Sequence, residues 1–296
     1  LESLNLHTSP TARFSGFFTA LANARYVVVG APYDRTSTYR AGSRFGPAAI
    51  REASQNIETY SIRSQLDLEK VPICDVGDLH IVDELDETLR RLERVVNDIV
   101  SARKIPIMLG GEHTMTLGVI RALGPSIGVV SFDAHGDLRD EYSGLKVMHA
   151  TFMRRASEIV GPGKIVEIGL RALCSEEIQF LKSSKLRYIT TQKLMEQQAK
   201  DAAKAVRRLV GNMKQIYVTV DMDVFDPAFA PGVGNPEAEG LSPSHFFTIL
   251  DEVLGLPVVG VDVVETAPDY DKGGATAVLA SRVVFEAIAG IEAHRR

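Results

Sequence analysis

The sequence predicts an α/β protein in which a mostly parallel sheet carries helices on both faces. Three observations point there. Strand-like and helix-like segments alternate through almost the whole chain. The strand-like segments are short, continuously apolar and mostly bounded by Gly or Pro, as strands buried on both faces are. No Pro-, Gly- or Ser-rich linker interrupts the alternation, so residues 25–296 are expected to form one domain behind a loosely structured arm, residues 1–24.

The first strand is Arg25 to Gly30 (RYVVVG), a β-branched run ending in Gly. A polar loop follows to Gly46, and Pro47 opens a helix at the position where a missing N–H costs nothing. Val71 to Asp75 reads as the second strand. Asp83 to Ala102 is an amphipathic helix, because Leu85, Leu89, Leu92, Val96 and Ile99 recur at steps of four and three. Strands are then expected at Ile105–Leu109, Ile127–Phe132, Lys164–Leu170, Arg187–Thr190, Ile216–Val220 and Pro257–Val264. Helices are expected between them at Met115–Leu123, Ala150–Val160, Ser175–Leu181, Lys193–Leu209 and, capped by Ser242 with Pro243 in its first turn, to Leu254. Ala275 to Ala293 closes the chain as a helix.

Composition narrows the function. The net charge is −5 with Lys and Arg scattered, which argues against nucleic acid as a partner. There is no uncharged apolar run of membrane-spanning length. The apolar stretch from Phe14 to Leu21 lacks a preceding basic segment and is broken by Ser, Gly and Thr, so it does not read as a signal peptide. Cys74 and Cys174 are the only cysteines and lie far apart, which fits a reducing cytoplasm rather than a disulfide framework.

In open sheets of this class, sites form at the carboxyl ends of strands. Chemistry-bearing residues gather there. Ser131-Phe132-Asp133-Ala134-His135-Gly136-Asp137 places Asp, His and Asp at alternate positions, which share a face if the chain stays extended. Carboxylate and imidazole together suit a divalent cation such as Mn, Fe, Ni or Zn. Alone, the pattern reads equally well as a strand running into an acidic turn. Gly110-Gly111-Glu112-His113 follows another strand, and Asp221-Met222-Asp223 ends a third. Two carboxylates at the end of an apolar strand repel unless a cation lies between them. Two His and four Asp exceed what one metal with an open position takes from a protein. They suit two metals sharing bridging carboxylates and a bridging hydroxide. Glu265 ends the last strand, and His149 precedes a helix.

G-G-E-H-T, S-F-D-A-H-G-D and V-D-M-D-V-F-D-P, in this order, resemble the ureohydrolase family of arginases, agmatinases and related amidinohydrolases. The resemblance runs from about Val27 to the closing helix. It implies a three-layer α/β/α fold with a mostly parallel sheet of about eight strands, two Mn²⁺ per subunit, and a trimer or hexamer. His113 and Asp137 match ligands of one manganese, His135 and Asp223 ligands of the other, and Asp133 and Asp221 the bridging carboxylates. His149 matches the proton-transfer histidine, and Glu265 the glutamate that pairs with the substrate guanidinium.

Within the family, the segments Ala31 to Arg51 and Asp140-Glu141-Tyr142 look like the agmatinase branch, and the Asn and Ser-x-Asn pattern of arginases is missing. The expected reaction is therefore hydrolysis of a small guanidino compound, agmatine to putrescine and urea, by attack of the bridging hydroxide on the guanidinium carbon. Asp137 or His149 would deliver a proton to the leaving amine, and Asp140 or Glu141 would draw a terminal ammonium on the substrate tail. One stretch departs from the agmatinase pattern: Asn235, Ala238 and Glu239 alter a loop bordering the pocket, so Asn235 joins the expected substrate contacts. The competing readings are hydrolysis of another guanidine (guanidinobutyrate, guanidinopropionate or arginine), a one-zinc deacetylase-type site, and a catalytically silent member acting as a binding subunit. His113, Asp221 and Asp223 argue for two metals over one. The full set of ligands with His149 and Glu265 argues against silence.

Overall fold

A computed structural model describes residues 1–295. The elements in order are α1 (Glu2–His7), β1 (Thr8–Ser9), β2 (Tyr26–Ala31), α2 (Gly46–Ser54), β3 (Tyr60–Ser61), β4 (Leu66–Asp67), β5 (Ile73–Leu79), α3 (Leu85–Ser101), β6 (Ile105–Gly110), α4 (Thr116–Leu123), β7 (Gly128–Phe132), α5 (Phe152–Val160), β8 (Ile165–Leu170), α6 (Ser175–Ser183), β9 (Arg187–Thr190), α7 (Thr191–Met195), α8 (Ala199–Val210), β10 (Ile216–Asp221), α9 (Pro243–Leu254), β11 (Val258–Val264) and α10 (Ala275–His294). Nine strands form one sheet in the order β1-β5-β2-β6-β11-β10-β7-β8-β9. Every pair in it is parallel except β1 with β5.

The alternation of side chains along each strand builds two cores, one on each face. Val28, Ile107, Val130 and Val218 pack with residues of α2, α8, α9 and α10. Val27, Val29, Met108, Val129 and Tyr217 pack with residues of α1, α3, α4 and α5. This is the expected three-layer α/β/α architecture. The stripe read on α3 is buried at Leu89, Leu92, Val96 and Ile99, and the Ser242 side chain caps α9 by accepting from His245 N.

The N-terminal residues are not loose. Leu4 and Phe14 are buried, and Thr8 and Ser9 pair with Leu79 and Asp78, which raises the strand number from about eight to nine. Their apolar residues are too sparse to show a period, and the partner strand is about seventy residues away. β5 runs on to Leu79, past the expected end at Asp75. Fully buried Arg51 supports this extension: it donates to both oxygens of Asp75, to Asp78 and to Gly77 O, which makes acidic residues acceptable inside a sheet. The single helix expected over Lys193–Leu209 is two, because extended Gln198 (ψ 146°) separates α7 from α8. The short β3–β4 hairpin was not legible.

The chain passes from β6 to β7 across a gap later filled by β11 and β10. These four central strands surround a topological switch point, where a crevice opens at the carboxyl edge of the sheet. Among the described residues, no helix is long and apolar enough to cross a membrane.

Candidate active site

All four strands of the switch point end in a candidate residue. After β6 the chain turns so tightly that a Cβ on Gly111 would meet Tyr33 O at 2.0 Å. Only glycine fits this turn, and Glu112 N then bonds Tyr33 O at 2.7 Å. The turn carries His113 into the crevice, where Phe152 stacks on its ring with centroids 3.9 Å apart.

Beyond β7 the chain does not stay extended. Asp133 Oδ1 accepts from His135 N at 2.7 Å, and beyond β10 Asp221 Oδ1 accepts from Asp223 N at 2.8 Å. Both D-x-H and D-x-D are therefore turns in which the first aspartate folds the next ligand back towards itself. Asp137 comes round through a left-handed backbone, φ 49°.

Among the described residues, two groups of side chains could each hold a metal ion: His113, Asp133 and Asp221, and Asp133, His135 and Asp223. Asp133 belongs to both. Its Oδ2 lies 3.0 Å from His113 Nδ1 and its Oδ1 3.8 Å from His135 Nδ1. Asp221 Oδ2 and Asp137 Oδ2 lie 3.2 and 3.7 Å from His113 Nδ1. Asp223 Oδ2 lies 2.9 Å from His135 Nδ1. Thus Asp133 faces both groups, while Asp221 joins the His113 group only.

The hydrogen bonds support a cation here. The Thr219 hydroxyl donates to Asp262, so it accepts at 2.9 Å from His113 Nε2, which must carry the proton. Among the described residues, no hydrogen bond satisfies the buried His113 Nδ1. It faces carboxylate oxygens at 3.0 and 3.2 Å, so nitrogen and oxygen donors point at one another where a cation would be coordinated by both. Burial and the neighbouring carboxylates push Asp133, Asp137 and Asp221 upward. Burial also disfavours charge on Asp223, but His135, the Ala134 N–H and Arg171 together outweigh it and hold Asp223 below the usual carboxylate range. Burial likewise opposes the charge on His135, yet Asp223 and Asp133 raise it to about 9. This excess of buried acid suits divalent cations with mixed O and N donors.

The cleft above these groups, about 170 Å³, is lined by His135, Asp137, Asp221 and Asp223 and by Thr38, Arg139, His149, Ala150, Ala172, Glu177, Asn235 and Glu265. Glu265 sits at φ 62°, and one of its oxygens accepts from His113 N at 2.9 Å. Burial and nearby Glu112 push its carboxyl well up. Burial, with His135 and His113, lowers His149 to about 4. His149, Glu265 and Asn235 thus share the cleft with the metal-type residues.

Asp140 and Glu141 lie outside this lining. Asp140 is exposed and bonded to Arg155 at 2.6 Å, and Glu141 is exposed too. The expectation that either draws a substrate ammonium is therefore corrected: after Arg139 the loop turns outward, and Arg155 of α5 pairs with Asp140. Besides the metal-type residues, His149 and Glu265, the charged residues that do line the cleft are Arg139 and Glu177.

Several residues with a bearing on the site escaped the sequence reading. Asp262 collects the hydroxyls of Thr116, Thr219 and Tyr217. Glu177 accepts from Leu138 N and Cys174 N, tying the Asp137 turn to α6. Arg171 donates to Asp223 O, Phe225 O, Glu237 O and Ala238 O, stitching the Asn235 loop to the Asp223 turn. Asp262 had a signal, a charge inside an otherwise apolar strand. The others depend on partners remote in sequence.

A family model described as the arginase family matches residues 24–290. An agmatinase of Halalkalibacterium halodurans is 35% identical over 288 residues, covering 94% of this chain and 97% of that one. A guanidinopropionase of Pseudomonas aeruginosa is 36% identical over 279 residues, covering 91% and 87%. The crystal structure of agmatine ureohydrolase of Thermoplasma volcanium superposes with a TM-score of 0.89 at 35% identity, covering 97% and 96%. With its site built on the same three motifs that carried the resemblance, the chain belongs to the arginase family of ureohydrolases.

Proposed function

We propose that this protein hydrolyses a small guanidino compound to urea and an amine, with agmatine as substrate and putrescine as the second product, using two divalent cations, manganese by expectation. The carrying observation is that two ligand groups sharing Asp133 open into the same cleft as Glu265 and His149.

Asp133, His113 and Asp221, with Asp137 close by, would hold one cation; Asp133, His135 and Asp223 would hold the other. When bound, such a pair lowers the pKa of a water and so supplies the nucleophile at neutral pH. The protein's own groups do the rest. With one oxygen occupied by His113 N, the Glu265 carboxylate is oriented to receive a guanidinium N–H on the other. The water oxygen adds to the guanidinium carbon and the bond from that carbon to the tail nitrogen breaks. Both water protons finish on the departing amine, one by way of Asp137, because an unprotonated amine leaves poorly. Buried His149 is neutral at physiological pH and serves as a proton relay at the cleft wall.

A second reading has an observation of its own. Arg139 lines the cleft, and a guanidinium there favours the carboxylate tail of guanidinobutyrate or guanidinopropionate, whereas Glu177 favours the ammonium of agmatine.

The test is urea release from agmatine, arginine, guanidinobutyrate and guanidinopropionate after Mn²⁺ loading. Agmatine should give the highest kcat/KM. Two metals bound per chain with no urea from any of the four would overturn the hydrolase reading.

A further inference from the structure

The loop between β2 and α2 sends two threonines to His149. Thr38 Oγ1 lies 3.1 Å from His149 Nε2, and Thr36 Oγ1 accepts from His149 N at 3.1 Å. We infer that Thr36 and Thr38 are positioning residues for His149, holding its backbone and its ring at the wall of the cleft. This rests on the reading of His149 as the proton relay.

The direction of the chain of bonds follows from Glu112. This side chain is fully buried on the turn ahead of His113. It accepts from Thr36 N at 2.7 Å, from the Thr36 hydroxyl, and from the Thr114 hydroxyl. The Thr36 hydroxyl hydrogen is therefore committed to Glu112, which leaves only a lone pair for His149 N. Tyr33 O, on the same loop, accepts from Glu112 N. The loop is thereby clamped to the turn that carries His113, and the His149 backbone is clamped to the loop.

Thr38 differs because its hydroxyl rotor is uncommitted. It can donate to a bare Nε2 or accept from a protonated one. A proton relay needs a partner that satisfies both of its states; a carboxylate or a backbone N–H would satisfy only one. Thr38 also lines the cleft, so the ring is held from the loop side while its remaining nitrogen stays free for substrate or water.

Four variants test this: Thr38→Val, Thr38→Ser, Thr36→Val and Thr36→Ser in the full chain. The valines should lower kcat with agmatine between about tenfold and the roughly hundredfold that a 1 Å misplacement of a catalytic group can cost, with KM within twofold and metal content unchanged. The serines should restore most of the loss. Ring-¹⁵N relaxation of the Zn²⁺-loaded protein should show one rigid His149 ring in the parent and added ring motion in Thr38→Val, because the hydroxyl fixes the position of Nε2 whichever partner donates. Valines within twofold of the parent in kcat with unchanged ring motion would overturn the inference, as would serines as impaired as the valines. If the parent releases no urea, the functional reading fails by itself, and the ring spectra still decide whether Thr38 positions His149.

Discussion

Asp137 and Glu265 stand in the same cleft with the same backbone anomaly: both are buried non-glycine residues in the left-handed region, at φ 49° and 62°. Such conformations cost free energy and persist where surrounding contacts overdetermine them. Asp137 O accepts from Arg154 N, Leu138 N is held by Glu177, and Glu265 N donates to Gly111 O. The strain is thus held by neighbours on three different elements.

This strain can be separated from the chemistry. Asp137→Ala and Asp137→Gly both remove the carboxylate and should both lack urea release. In metal-free protein, the glycine variant should be more stable by about 1 kcal/mol, the scale of the left-handed penalty for a residue with a Cβ. Equal stabilities in denaturant titrations would mean that the turn is not strained.

The sharing of Asp133 predicts unequal metal losses. Asp133→Ala should lose both metals, while His135→Ala should keep one, held by His113, Asp221 and Asp137. Elemental analysis after desalting reads this directly. One metal retained in Asp133→Ala would break the proposed sharing.

Thr219 orients His113 without approaching the cleft. Thr219→Val removes the acceptor for His113 Nε2 and one donor to Asp262, and should weaken metal affinity roughly 10- to 100-fold. Thr219→Ser should stay near the parent. Competition with a fluorescent chelator measures it; an unchanged affinity in the valine variant would assign Thr219 to packing alone.

His149 supplies a pH signature. Folding lowers it to about 4 from the usual 6.5, so below that value the unfolded chain takes up a proton that the folded chain refuses. Stability is therefore intact above pH 6.5 and is lost as pH falls towards 4, by about 2 kcal/mol at pH 5. Urea denaturation of chelator-treated protein at pH 7.5 and 5 should show the parent losing more stability than His149→Asn by about that amount. Equal losses would show that His149 is not held neutral.

The layers and the candidate metal residues were legible because their signals are local. A strand buried on both faces must be apolar along its whole length, as Ile216–Val220 is, and α3 must show an apolar stripe. The ligands cluster at strand ends as short runs, since one turn can aim two ligands when an aspartate folds the chain back on itself. Asp133, His135 and Asp137 converge through two tight turns and not, as alternation along a strand predicts, through an extended chain.

What the sequence determined by itself is therefore the α/β layering, the candidate metal ligands and their order, and the kinship with ureohydrolases. Only the tertiary structure decided that Asp140 faces Arg155 and solvent, that Arg139 and Glu177 face the cleft, that the N-terminus adds a ninth strand, and that Thr38 meets His149. The physical reason is separation along the chain. Thr38 and His149 are 111 residues apart, and His113 and Thr219 are 106 apart. Bonds between such partners leave no period and no spacing in the chain; they exist only once β2, β6, β11, β10 and β7 lie side by side.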